Sequence, residues 1–238
     1  MSNKINDIKI HYNTNYDKIL RSKQIYKYYH NLIKDYFMFN ILSESSVLEI
    51  GCGNGDLLNY VNPKYGVGID ISDKFISIAK TKYPKLNFYN KSLENLNLDL
   101  KFDYIIISGL IGELEDIEDF LIKLKKFCSI ETKIIVSYYN KNWEPILKVA
   151  ELLKLKTSQP NQNWISKNDL KNILFLSDYE IIKHYNKIIL PLKIPIISNF
   201  LNNIIANLPF FRIFCLISFA CIKLNHNQDI SNLITSII

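Results

Sequence analysis

Val47-Leu48-Glu49-Ile50-Gly51-Cys52-Gly53-Asn54-Gly55-Asp56-Leu57-Leu58 decides the fold of this chain. Its apolar, partly β-branched start reads as a buried strand. The chain then turns through three glycines at alternate positions and enters an apolar, helix-compatible segment. A strand, a glycine turn and a helix in that order build a nucleotide pocket at the carboxyl ends of the strands of an α/β sheet. Glycine suits such a turn because the backbone must take unusual dihedrals and lie close against a ligand.

The spacing separates this turn from a dinucleotide fingerprint. That pattern is G-x-G-x-x-G, with its last glycine giving close helix packing near a pyrophosphate. Here Asp56 holds that place, and the third glycine arrives one residue early, at Gly55. Glu49, at the strand end, would aim a carboxylate at a pyrophosphate, whereas it suits a ligand with a cationic amino-acid end. Tyr65-Gly66-Val67-Gly68-Ile69-Asp70-Ile71-Ser72 is a second short strand that ends in an acid. Asp70 lies about twenty residues beyond the first glycine, where such folds place the carboxylate that grips ribose hydroxyls. An aspartate at a strand end often caps a helix instead, but Ser72 or Asp73 can cap the helix that starts near Lys74. All seven glycines (Gly51, Gly53, Gly55, Gly66, Gly68, Gly109 and Gly112) lie between the first strand and the loop after the fourth.

Glu-x-Gly-x-Gly-x-Gly followed by Asp70 resembles motif I and the ribose-binding acid of class I S-adenosylmethionine-dependent methyltransferases. The resemblance implies an α/β fold: a Rossmann-like sheet of seven strands, mostly parallel with the last antiparallel, and helices on both faces. It implies S-adenosyl-L-methionine as cofactor, S-adenosyl-L-homocysteine as product and methyltransferase activity. Glu49 would hold the methionyl amine, while Gly51, Cys52, Gly53 and Gly55 bring the backbone close. Asp70 would bind the ribose and Ile71 would pack on adenine. Ser92 and Leu93 would meet the adenine edge, where related enzymes usually carry Asp and a small residue. Ser108 opens the loop bordering the methyl group. That loop lacks the Asn/Asp-Pro-Pro-aromatic signature of enzymes acting on planar amides or base amines. Gly109 and Glu113 stand where relatives often have Asp and His, so no base carries over. His30, Glu113 and Tyr138 remain candidates for taking a proton from an oxygen acceptor.

The rest of the chain alternates strand and helix. Strands are expected at 47–50, 66–70, 87–90, 102–108, 133–139, 179–190 and 212–224. Helices are expected at about 74–82, 115–128 and 146–155, with another beginning at Ser166. Residues 1–21 read as polar with scattered aromatics, and 22–39 as a helix. Residues 1–40 together are expected to form a helical lid over the cofactor, 41–224 the methyltransferase domain, and 225–238 a tail. The stretch 137–166 reads as an acceptor-side insertion. Its Asn, Gln, Tyr and both Trp residues suit a hydroxyl-rich ligand such as a sugar, or equally stitch a loop to the domain. Its phrase Tyr138-Tyr139-Asn140 … Trp143-Glu144-Pro145 … Gln159-Pro160 … Asn163-Trp164 resembles a bacterial methyltransferase group associated with envelope-polysaccharide gene clusters and glycosyltransferases. Ile197, Phe200, Leu201, Ile204, Ile205 and Leu208 form a helical apolar stripe, expected to pack on the sheet with the asparagines opposite. A surface-bound membrane helix is the alternative, set back by a polar face without Lys or Arg.

Net charge is +6, but the lysines are scattered, so no nucleic-acid partner is inferred. Cys52, Cys128, Cys215 and Cys221 show no metal spacing and suit a reducing cytosol. The N-terminus shows no secretion signal, and no apolar run is long enough to span a bilayer. The expected partners are a small-molecule, glycan or lipid-linked acceptor and a glycosyltransferase, with peripheral membrane contact open and a cytoplasmic location. Two readings compete with the enzyme: an inert nucleoside-binding module in a polysaccharide-assembly complex, and a nicotinamide oxidoreductase, which the glycine spacing and Glu49 disfavour.

Overall fold

The computed structural model describes residues 3–153, 155 and 162–225. Seven strands form one sheet: β1 (Ser46–Ile50), β2 (Tyr65–Asp70), β3 (Asn87–Asn90), β4 (Phe102–Ser108), β5 (Cys128–Tyr139), β6 (Tyr179–Lys187) and β7 (Ile217–Leu224). Their order is β3-β2-β1-β4-β5-β7-β6. All neighbours from β3 through β5 are parallel, and β7 runs antiparallel between β5 and β6. This is the expected Rossmann-like methyltransferase sheet. The strand order reverses between β1 and β4, the switch point where α/β sheets bind ligands.

Alternation along the central strands feeds two cores. Leu48, Ile105, Ile107, Ile134 and Val136 face α6 (Ile117–Leu124) and α8 (Lys167–Leu176). Val47, Ile106 and Ile135 face α3 (Lys27–Asn40), α4 (Asp56–Val61) and α5 (Asp73–Lys82). Parallel strands covered on both faces must be apolar on both, which explains the unbroken Ile105-Ile106-Ile107 run. Ser72 caps α5 by accepting from Phe75 N, leaving Asp70 out of the capping role. Ser166 and Asp169 form a reciprocal capping box at α8.

Several elements differ from expectation. Ahead of the helix expected at 22–39, the chain holds α1 (Asn3–Thr14) and the start of α2 (Tyr16–Ile25), for which no bounds were expected. The helix expected over 22–39 is split at Tyr26 between α2 and α3. Contacts to α5 hold α1: Asn13 Nδ2 donates to Asp73 Oδ1, Ser72 Oγ donates to Asn13 Oδ1, and Lys9 pairs with Asp73. Tertiary partners thus supply what local propensity does not. The helix expected at 115–128 is shorter, because Asp116 is its N-cap and a 3-10 turn replaces its end. Strand β5 starts earlier, at Cys128, and β6 stops at Lys187, where Ile188 takes a φ of 68°. The helix expected at 146–155 is α7 (Glu144–Leu152), with Pro145 in its first turn.

The apolar stripe is reversed. Helix α9 (Ile197–Asn203) and the 3-10 turns that follow bury Ser198, Asn202 and Ala206, while Ile197, Phe200, Ile204 and Leu208 are exposed. Asn202 decides the orientation. Its Oδ1 accepts from Ile189 N and Leu190 N, and its Nδ2 donates to Leu190 O and Tyr28 Oη. The loop after β6 carries backbone groups that need partners, and this side chain provides them.

Candidate active site

The glycine turn sits at the carboxyl end of β1. Gly51 N and Cys52 N both donate to Ile69 O, locking the turn to β2. Gly51, Gly53 and Gly55 have φ of 72°, 53° and 76°, the left-handed region that side chains resist. Asp70 joins the two loops: its Oδ2 accepts from Gly53 N at 2.8 Å and its Oδ1 from Ser72 N at 2.8 Å. Burial raises its carboxyl, while the Ser72 and Gly53 N–H groups oppose that shift.

Two cavities meet over the β1/β4 switch point. The first, of about 640 Å³, is lined by Gly51, Gly53, Asp70, Ile71, Ser92, Leu93 and Ser108. Residues singled out in the sequence from four separate stretches therefore share this cavity, Gly109 and Glu113 among them. The second, of about 680 Å³, lies under the N-terminal helices and takes in Glu49, Cys52 and His30. Tyr12, Lys23, Gly51, Gly53, Ser108 and Gly109 border both. Gly55 lines neither: a Cβ there would stand 2.5 Å from the Phe88 ring, so this glycine serves packing. Gly109 has a φ of 71° and open space where its Cβ would be. The Ser108 hydroxyl lies 3.2 Å from that of Ser137.

Glu49 points from β1 toward α3 and α4, and one of its oxygens accepts from Leu58 N at 2.9 Å. Burial pushes its carboxyl up to about 8, against the Lys23 ammonium and the Leu58 N–H, which favour the charged form. Burial pulls the His30 imidazole down to about 4, helped by Lys23 and Lys34, so the ring is neutral at physiological pH. Glu113 accepts from the Tyr12 hydroxyl at 2.6 and 2.7 Å, which ties α1 to the loop after β4. Tyr138 also borders the second cavity, but its hydroxyl is 3.1 Å from His184 Nε2, and burial raises it to about 12. Tyr139, on the opposite face of β5, shares a hydrogen bond with Tyr29 and lines the second cavity.

The 137–166 stretch uses much of its polar inventory internally. Asn140 Nδ2 donates to Cys215 O, Asn163 Nδ2 to Leu114 O and Trp143 Nε1 to Phe214 O. Those side chains stitch the loop to the domain. Gln159, Pro160 and Asn161 lie outside the described residues.

Sequence reasoning missed two residues of this site. Lys23 on α2 places its Nζ 3.6 Å from the point where a Cβ on Gly53 would stand. Nothing in its neighbourhood distinguishes it from the other lysines of the chain. Asn54 is 5% exposed, lines the second cavity and has a carboxamide oxygen without a hydrogen-bond partner. A buried polar atom of that kind marks a place for a ligand or water. Its position inside the glycine turn was the available signal.

Comparison with known proteins agrees with this geometry. Residues 48–134 match a family model described as a methyltransferase domain. A protein of Invertebrate iridescent virus 6 named as a methyltransferase is 39% identical over 70 residues, 28% of this chain and 26% of the viral protein. A ubiquinone biosynthesis O-methyltransferase of Rickettsia bellii is 27% identical over 149 residues, 60% of each chain. The chain thus spans less than two thirds of the length of these relatives. Among solved structures, an S-adenosylmethionine-dependent methyltransferase of Thermotoga maritima superposes with a TM-score of 0.70 at 16% identity, covering 91% of this chain and 99% of the other. The magnesium protoporphyrin IX methyltransferase of Synechocystis PCC 6803, with bound S-adenosylhomocysteine, gives 0.66 at 14% identity, covering 94% and 100%. The chain has the class I S-adenosylmethionine-dependent methyltransferase fold.

Proposed function

We propose that this chain transfers a methyl group from S-adenosylmethionine to a small-molecule acceptor that enters through the second cavity. The observation that carries this reading is the meeting of the two cavities at Gly51, Gly53, Ser108 and Gly109, with Asp70 facing one and Glu49 the other. The residues fit the cofactor part by part. Asp70 still has lone pairs for ribose hydroxyls after accepting its two backbone bonds. Ile71, Ser92 and Leu93 offer an apolar wall and a polar edge to adenine. Glu49 and the unpartnered Asn54 oxygen suit an ammonium group, and Lys23 suits an α-carboxylate.

When bound, the cofactor supplies a methyl group activated on a cationic sulfur. The protein's work is orientation, which in favourable cases accounts for roughly 7–11 kcal/mol of barrier. His30 is the base we assign. It lines the second cavity and stays unprotonated above about pH 4, whereas Glu113 is held by Tyr12. An oxygen acceptor is supported by the O-methyltransferases among the relatives. A saccharide or lipid-linked acceptor, a glycosyltransferase partner and a cytoplasmic location rest on the resemblance of the 137–166 phrase.

Calorimetric titration with S-adenosylhomocysteine and with NAD tests the cofactor. Binding of the former alone is expected, and binding of NAD alone overturns the assignment. Incubation with methyl-labelled cofactor and a cell-envelope extract tests transfer, and absence of label in every component would support an inert module. His30→Asn is expected to lower kcat by at least about 100-fold, the low end of general-base contributions, with cofactor affinity unchanged.

A further inference from the structure

The outward face of the segment between β6 and β7 has no role in the chemistry above. Ile196, Ile197, Phe200, Ile204, Phe210 and Phe214 all expose large apolar surface there; Ile196 is 84% and Phe210 70% exposed. Isolated exposed apolar residues are ordinary, but this many within one short segment, with the rings of Phe210, Phe211 and Phe214 packed together, mark an interaction surface. The inward face is polar, with Ser198 and Asn202 bonded to the backbone of the preceding loop. The segment therefore turns Ser198 and Asn202 inward and displays its large apolar side chains, with Asn199, Asn203 and Asn207 exposed among them.

Charge identifies the occupant. From residue 181 to residue 225 the chain contains no Asp or Glu, yet carries Lys183, Lys187, Lys193, Arg212 and Lys223. Lys193 and Arg212 are exposed within the apolar group itself. A protein partner with a matching apolar patch would not require an acid-free stretch of chain of this length. An anionic lipid surface selects for that combination: apolar side chains that enter the interface and cations at headgroup level. The helix has no Lys or Arg on its polar face, of which Asn202 alone among the asparagines is turned inward, and the cations come from the flanking loops. Among the described residues no helix is long and apolar enough to cross a membrane, so the contact is with its surface.

Topology places this face beside the cleft. Both β5 and β6 are antiparallel to β7, so β6 ends at the same edge of the sheet as β1, β4 and β5. The segment is tied to α3 by the Asn202–Tyr28 hydrogen bond and to the turn after β5 by Trp143 Nε1 donating to Phe214 O.

We propose that the 192–214 segment docks the protein on an anionic membrane surface with the cofactor cleft held at the lipid interface. The docking does not depend on which reaction the cleft performs. Co-sedimentation of the full chain with vesicles of two parts phosphatidylcholine to one part phosphatidylglycerol tests it, with pure phosphatidylcholine vesicles alongside. Binding is expected to the anionic vesicles, at least tenfold weaker to the neutral ones and weaker again at high salt. Because the altered positions are exposed, Ile196→Ser with Phe200→Ser and Phe210→Ser is expected to keep the melting temperature and S-adenosylhomocysteine affinity. The same variant is expected to lose at least tenfold in vesicle binding. Lys193→Glu with Arg212→Glu should lose the preference for anionic vesicles. The proposal is overturned if the full chain stays in the supernatant, or if the apolar variant binds vesicles as the parent does. It is also overturned if sedimentation equilibrium shows a dimer that the apolar variant dissociates, since the face would then be a contact between copies.

Discussion

At the scale of single residues, Asp70 and Glu49 are both buried acids at strand ends, but their surroundings give them different tasks. Asp70 accepts two backbone N–H bonds at 2.8 Å, which fix its direction before any ligand arrives. Asp70→Asn replaces a charged acceptor with a neutral amide. Charged hydrogen bonds contribute about 1.5–3 kcal/mol, so S-adenosylhomocysteine affinity should fall roughly 10- to 100-fold, as calorimetry would measure. Glu49 accepts a single backbone bond and is held up near 8 by burial, far above its ordinary 4.5. A carboxyl whose folded value is raised stabilises fully below its unfolded value and loses that contribution as pH climbs through the folded one. The ligand-free protein should therefore lose stability between about pH 4.5 and about pH 8. Denaturant titrations across that window should show the slope in the parent and a smaller one in Glu49→Gln, and equal slopes would contradict the shift.

At the scale of elements, the glycine turn divides into glycines that face the cavities and one that serves packing. Gly109→Ala meets open space but keeps a φ of 71°, so its cost should be close to the left-handed penalty alone, about 1–2 kcal/mol. Gly55→Ala adds a 2.5 Å approach to Phe88 and should depress the melting temperature considerably more. Scanning calorimetry of the pair would separate the two effects. The β1 turn, β2, β3 and β4 were legible in sequence because apolar runs, glycines and capping residues all point the same way there. The bounds of α1 and the break between α2 and α3 were not, because the hold on α1 lies in Asn13, Ser72 and Asp73, groups far apart in the chain. The stripe on α9 was legible as a pattern but not as a direction. Periodicity shows two faces, and only the unpaired backbone after β6 decides that Asn202 turns inward. Lys23 and Asn54 were missed for a related reason: what sets them apart is position, which composition does not encode.

At the scale of the whole molecule, α1 and α2 lie over the cleft and are fastened to it by few contacts, chiefly Tyr12 to Glu113 and Asn13 to Ser72 and Asp73. Regions held by few buried contacts open at low free-energy cost. Hydrogen exchange should find the amides of α1 and α2 exchanging faster than those of β1 and β4, and slowing when S-adenosylhomocysteine is added. Unchanged rates on addition would mean that these helices do not respond to the site. The placement of β7 has a consequence for biosynthesis. It is the last strand among the described residues, yet it sits between β5 and β6 and pairs with both. On the ribosome, β6 has no sheet edge to join until translation passes Leu224. The hydrophobic segment connecting them must emerge from the exit tunnel first, ahead of the strand that anchors it. Nascent chains of this topology are thus exposed to chaperones, or to a nearby bilayer, before the sheet can close.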